Sequence, residues 1–137
     1  MNREILFKAK RIDNGEWVEG YYCKWKQIRR TICIAEEKIV DCIIVWMSDG
    51  SMLRYEIDPD TLCQYTGLTD KNGMKIWEND ILKCGVNSVV VWNKKYASWC
   101  LRKKRWLYDQ FFGDSVEPED VEVVGNTFDN PELLEVR

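Results

Sequence analysis

Apolar and polar residues exchange places every one or two positions along this 137-residue chain. Such a short period belongs to strands with one buried face rather than to helices. ILFKAK (Ile5–Lys10) and EWVEGYYCKW (Glu16–Trp25) flank the turn residues Asp13-Asn14-Gly15 and predict a β-hairpin from Ile5 to Trp25, with Gly20 as the site of a bulge. Further strands are predicted at Thr31–Ile34 and at Lys38–Met47. Ser48-Asp49-Gly50-Ser51 then turns the chain into a return strand, Met52–Ile57. Asp58-Pro59-Asp60-Thr61 breaks the pattern, because proline cannot extend a ladder while an aspartate caps a short helical turn.

The next stretch is the most patterned. Tyr65–Leu68 and Met74–Trp77 flank Asp70-Lys71-Asn72-Gly73, a tight turn whose Asn72 and Gly73 tolerate positive φ. A second turn at Glu78-Asn79-Asp80 leads into Ile81–Lys83, followed by strands at Ser88–Asn93, Ala97–Arg102 and Val121–Val124. Pro131 opens a terminal helical turn that suits Leu133 and Leu134 to a core edge. Many short strands with regular turns predict a mainly β protein of one or two small barrels. The seam falls between Ile57 and Leu68.

Chemistry narrows the picture mostly by exclusion. There is no histidine, which removes the commonest general base and metal ligand. The six cysteines are widely spread with no C-x-x-C, and most lie in strand-like apolar runs, where a thiol acts as a small hydrophobe. Neither a nucleophile motif nor a glycine-rich phosphate loop is present. No apolar run nears the roughly 20 residues needed to span a bilayer, and the N-terminus lacks the pattern of a signal peptide. These observations predict a cytoplasmic, non-enzymatic protein without cofactor or metal.

Three blocks carry a family resemblance. REILFKAKRIDNGEWVEG (Arg3–Gly20), QYTGLTDKNGMKIWENDIL (Gln64–Leu82) and VEVVGNTFDNPELL (Val121–Leu134) stand in the order, and closely resemble the motifs, of the YopX family. Asn79 occupies a turn position where family members usually have glycine. Asparagine is the next best residue for a left-handed backbone, so the turn is expected to survive. The resemblance implies a gene of phages and prophages of Gram-positive bacteria, a mostly β fold whose C-terminal part is SH3-like, and assembly into a homo-oligomer. It brings no catalytic residue. The resulting expectation is two small β lobes, 1–64 and 65–137, the second an SH3-like barrel or roll, with only short helical turns.

Two clusters compete as sites. Asp60, Asp70, Glu78 and Asp80 are enough carboxylates for a metal-dependent nuclease. Turn chemistry accounts for them better, since aspartate in a turn accepts from backbone N–H groups two residues on. Asp70, Asn72, Gly73, Trp77 and Asp80 are therefore read as turn and core residues.

The second cluster interleaves Lys94, Lys95, Arg102, Lys103, Lys104 and Arg105 with Trp92, Tyr96, Trp99, Trp106 and Tyr108. Cations follow phosphates and aromatic faces stack on unpaired bases, so the segment is a candidate nucleic-acid or partner surface. The plainer alternative is a solvated hairpin whose charges guard an edge strand. Net charge alternates along the chain: +4 over residues 1–30, −5 over 31–90, +5 over 91–110 and −7 over 111–137. That alternation suits self-complementary contact as well as it suits an outside partner, and together with seven tryptophans in a small chain it motivates a homo-oligomer. The partners expected are further copies of the chain, a phage or host protein, or nucleic acid, and no membrane.

Overall fold

The structure is a computed structural model that describes residues 4–103, 109–114 and 116–134. The protein is mainly β, with eleven strands among these residues and three short 3₁₀ turns. The chain divides into two compact units, Glu4–Gln64 and the residues from Tyr65 onward.

In the first unit, β1 (Phe7–Lys10) and β2 (Trp17–Arg30) form the predicted hairpin, with Phe7 opposite Gly20 and Lys10 opposite Trp17. β3 (Ala35–Trp46) returns along β2, and β4 (Met52–Glu56) pairs with the end of β3. The start of β5 (Cys63–Thr69) joins β1 on its other side through Cys63 and Gln64. Ala9, Ile43 and Ile57 make the buried core, with Phe7, Val18, Tyr22, Val45 and Leu62 packed against it. Pro59–Thr61 is the expected capped turn, and the Asp58 side chain accepts from Asp60 N–H at 3.0 Å.

Three local expectations are corrected here. Thr31–Ile34 is a turn, not a strand: Thr31 N–H donates to Ile34 O, reversing the chain from β2 into β3. Its β-branched residues favour strand locally, but the β2–β3 ladder closes at Arg30 opposite Ala35 and leaves these residues at the tip. β2 runs on to Arg30, past the predicted end at Trp25. Gly20 marks no bulge, since its register with β1 is unbroken. It is glycine because an added Cβ would sit 2.2 Å from Ile44 O.

Surface rings find cations rather than a core. Lys8 and Lys10 lie over Trp17, Arg11 over Tyr55 and Arg54 over Trp25, the last at 4.4 Å. Each such contact contributes about 0.5–1 kcal/mol at an exposed site, so a tryptophan-rich chain can keep rings outside its interior.

In the second unit, the rest of β5 pairs with β6 (Lys75–Trp77). A five-stranded antiparallel sheet follows, of β7 (Asp80–Cys84), β8 (Val86–Asn93), β9 (Ser98–Arg102), β10 (Gln110–Phe111) and β11 (Glu122–Asn126), in the order β10-β9-β8-β7-β11. Ile76, Leu82, Val90, Leu101 and Val121 fill its core, flanked by Leu68, Trp99, Phe112, Val116 and Val123. The expected barrel is not closed. β10 and β11 are the two ends of the sheet order, and among the described residues each pairs on one side only.

Candidate interaction surfaces

The patterned stretch from Tyr65 to Leu82 forms two consecutive turns held by buried carboxylates. Asp70 is 5% exposed. Its Oδ1 accepts from Asn72 N–H at 2.8 Å and Met74 N–H at 2.9 Å, and its Oδ2 accepts from Val123 N–H at 2.9 Å. One side chain thus shapes the hairpin turn and ties it to β11, while Lys71 N–H donates to Val121 O. Burial pushes the Asp70 carboxyl up, but the N–H groups of Val123, Met74 and Asn72 outweigh it and hold it below the ordinary carboxylate value.

Gly73 takes a φ of +78°, as the turn requires. Asn72 is exposed at the turn, while Trp77 is buried and packs at a tilt against Tyr65, 5.4 Å between ring centres. Trp77 N–H donates to Asp80 Oδ2 at 2.8 Å. Asn79 sits between them at φ +68°, its N–H on Val90 O and its own carbonyl accepting from Thr127 N–H. These carboxylates face backbone donors. Among the described residues no group of three or more Cys, Asp or Glu side chains is placed to hold a metal ion.

The basic and aromatic residues sit on the β8–β9 hairpin. Trp92 stands directly opposite Trp99, with ring centres 5.0 Å apart in an edge arrangement. Asn93 Oδ1 caps the turn by accepting from Lys95 and Tyr96 N–H, and Ala97 completes it at φ +50°. The turn presents Lys94, Lys95 and Tyr96 to solvent. Trp92 is 41% exposed and Tyr96 58%. Lys95 Nζ lies 5.3 Å from the Tyr96 ring, which in turn meets Phe111 edge-on. Trp92, Trp99 and Phe112, with Thr66 and Leu68 from β5, line an open groove of about 310 Å³. The Trp99 indole N–H is buried with no hydrogen-bond partner among the described residues.

Arg102 does not contribute a mobile cation to this surface. Its guanidinium donates through Nε and an Nη to both carboxylate oxygens of Asp109, at 2.9 and 3.1 Å, and Asn93 Nδ2 donates to the same carboxylate. Arg102 holds Asp109 below the usual carboxylate range despite its burial. Lys103 is half-buried, while Lys104, Arg105, Trp106 and Tyr108 lie outside the described residues.

A third surface escaped sequence reasoning. From Lys24 opposite Asp41 to Arg30 opposite Ala35, β2 and β3 continue past the ends of β1 and β4 as a two-stranded ribbon. At about 3.3 Å per residue it is roughly 20 Å long. Ile28 and Ile39 on the strands, and Ile32 and Ile34 at the tip, are all exposed. Tyr22 and Asp41 tie the base of the ribbon together through a hydrogen bond from the phenol, which pushes the Tyr22 hydroxyl up to about 12. Ile32, Ile34 and Ile39 fall within the strands predicted at Thr31–Ile34 and Lys38–Met47, but a strand pattern alone does not tell that these side chains and Ile28 stay exposed.

Cys42, Cys63 and Cys100 are buried, Cys23 is half-buried and Cys33 is exposed, all as free thiols. Among the described residues no helix is long and apolar enough to cross a membrane.

Comparison with known proteins adds family and fold. The family model described as YopX protein matches residues 6–135. Among solved structures, protein EF1440 from Enterococcus faecalis is similar over 98% of this chain and 100% of its own, with a TM-score of 0.52 at 20% sequence identity. At that identity the likeness speaks to fold alone. No curated protein matches the sequence.

Proposed function

The chain belongs to the YopX protein family, and from that premise we propose that it is a non-enzymatic interaction module that assembles with further copies of itself. In this reading it is a phage or prophage product working in the host cytoplasm. The observation that carries the proposal is the β2–β3 ribbon with Ile28, Ile32, Ile34 and Ile39 exposed. An isolated two-stranded ribbon is marginal in water and gains stability from a third strand or a packed face. Burying one such isoleucine contributes about 1.5–3 kcal/mol. Four of them therefore supply roughly 6–12 kcal/mol, against an association cost of about 4–15 kcal/mol. Apolar burial alone is close to balance, so a stable assembly must also satisfy backbone groups.

Light scattering on the purified protein tests the proposal. A defined mass above 16.3 kDa is expected, and a clean monomer at high concentration would overturn it.

One observation favours a second reading, binding of single-stranded nucleic acid. Trp92 and Tyr96 stand exposed beside Lys94 and Lys95, the pairing of stacking rings and cations that such strands use. Short DNA and RNA oligonucleotides should then quench tryptophan fluorescence at low salt, with affinity falling steeply as salt rises. No change with either oligonucleotide would exclude it.

A further inference from the structure

We infer that copies of this chain join through the free edges of the ribbon, the outer edge of β2 in one copy pairing with the outer edge of β3 in the next. The inference rests on the assembly reading above and names the surface and its partner. Beyond Asp41, among the described residues, the ribbon's β2 pairs with β3 alone and its β3 with β2 alone. β1 stops at Gly20 on one side, and β4 stops at Cys42 on the other, where Ile57 N–H still reaches Asp41 O. Both outer edges, Lys24–Arg30 and Ala35–Val40, therefore lack a strand partner among the described residues. Unpaired edges are templates for strand addition.

The two edges differ in charge. Residues 24–30 carry Lys24, Lys26, Arg29 and Arg30 and no carboxylate, whereas residues 35–41 carry Glu36, Glu37 and Asp41 against the single Lys38. Scattered charges of both signs would suffice to guard an edge. Segregation by strand instead makes β2 attractive to a β3 edge and repulsive to a second β2. Within one ribbon the same attraction already operates, with Lys26 Nζ 3.1 Å from Glu37.

Because one chain carries both complementary edges, the fitting partner is a second copy. Two ribbons pointing the same way place β3 beside the neighbour's β2 in antiparallel order, the sense in which these strands pair within the chain. The contact is heterologous, so closure gives a cyclic assembly. Ile28 and Ile39 of neighbouring ribbons then lie in one continuous sheet face, covered from water on the edge side.

The test uses two full-length variants, Lys24→Glu with Lys26→Glu and Arg29→Glu, and Glu36→Lys with Glu37→Lys. Each makes both edges alike in sign, so each alone should run as a monomer by light scattering, and an equimolar mixture should regain the wild-type mass. Variants that keep the wild-type mass would overturn edge pairing and leave assembly to another surface. Two monomers that fail to combine would overturn it equally. A monomeric wild type would overturn the assembly reading itself. If a variant loses its fold by circular dichroism, hydrogen exchange on the wild type decides. Outward amides of Lys24–Arg30 and Ala35–Val40 should exchange at least about tenfold more slowly once the protein is concentrated into its assembly. Exchange that does not change with concentration would rule the inference out.

Discussion

Removing the Asp70 carboxylate tests whether the family's central stretch is a joint. Its three hydrogen bonds, to Asn72, Met74 and Val123, are 2.8–2.9 Å long. Bonds to a charged group contribute about 1.5–3 kcal/mol each, which sets a ceiling near 9 kcal/mol. The realistic cost is smaller, because Asn72 and Met74 are exposed and water can replace the lost acceptor there. Val123 is half-buried on β11 and less easily rehydrated. Asp70→Ala should therefore cost about 2–4 kcal/mol, a large part of the 5–15 kcal/mol typical of a domain. Asp70→Asn keeps one oxygen for the turn but must turn an amide NH₂ toward Val123 N–H, and should cost about 1–3 kcal/mol.

The pH dependence separates charge from shape. The folded-state pKa of Asp70 lies below its ordinary value of 3.8. Its contribution is thus fully present above the ordinary value and lost as pH falls through the folded one. Urea unfolding followed by tryptophan fluorescence, from pH 7 down to pH 2.5, should show the wild type losing stability below about pH 4, with a shallower loss in Asp70→Asn. An Asp70→Asn protein within about 0.5 kcal/mol of wild type at pH 7, with the same acid limb, would refute the joint.

Other positions make sharper demands on the fold. Gly20→Ala would push a methyl to 2.2 Å from Ile44 O and 3.0 Å from Ile43 Cγ2. Thermal melts should show a loss of about 3 kcal/mol or more, and near-wild-type melting would mean that β2 and β3 are not so close. At Asn79, with φ +68°, Val should cost about 1–2 kcal/mol while Gly stays within about 1 kcal/mol of wild type, read by the same melts. Thiol labelling with Ellman's reagent should find Cys33 at once, and Cys42, Cys63 and Cys100 only on unfolding. Burial also pushes the Cys42 and Cys100 thiols up, which slows them further near neutral pH.

What the sequence made legible was local, and what it hid was set by pairing. Asp13-Asn14-Gly15 and Asp70–Gly73 announce their turns because the conformations needed are intrinsic to those residues, and both turns form as expected. The Asp70 bond to Val123 spans 53 positions, and nothing near either residue foretells it. The same holds for Arg102. Read alone it adds to a basic cluster, but Gln110 pairs opposite Leu101, and that register brings Asp109 to the guanidinium. Three of the seven residues that line the aromatic groove, Thr66, Leu68 and Phe112, likewise lie outside the β8–β9 hairpin that carries Trp92 and Trp99.

The ribbon is the instructive failure. Strand prediction looks for one buried face, and Lys26–Arg30 with Ala35–Glu37 have none, so these ends of β2 and β3 are invisible to that criterion while Thr31–Ile34, the turn, looks like a strand. A strand that buries neither face within its own chain conveys by that very absence that its stabilising partner lies elsewhere. Here the missing burial and the segregated charges occur on the same residues, which is why the ribbon, rather than the carboxylate turns, is where binding should be sought.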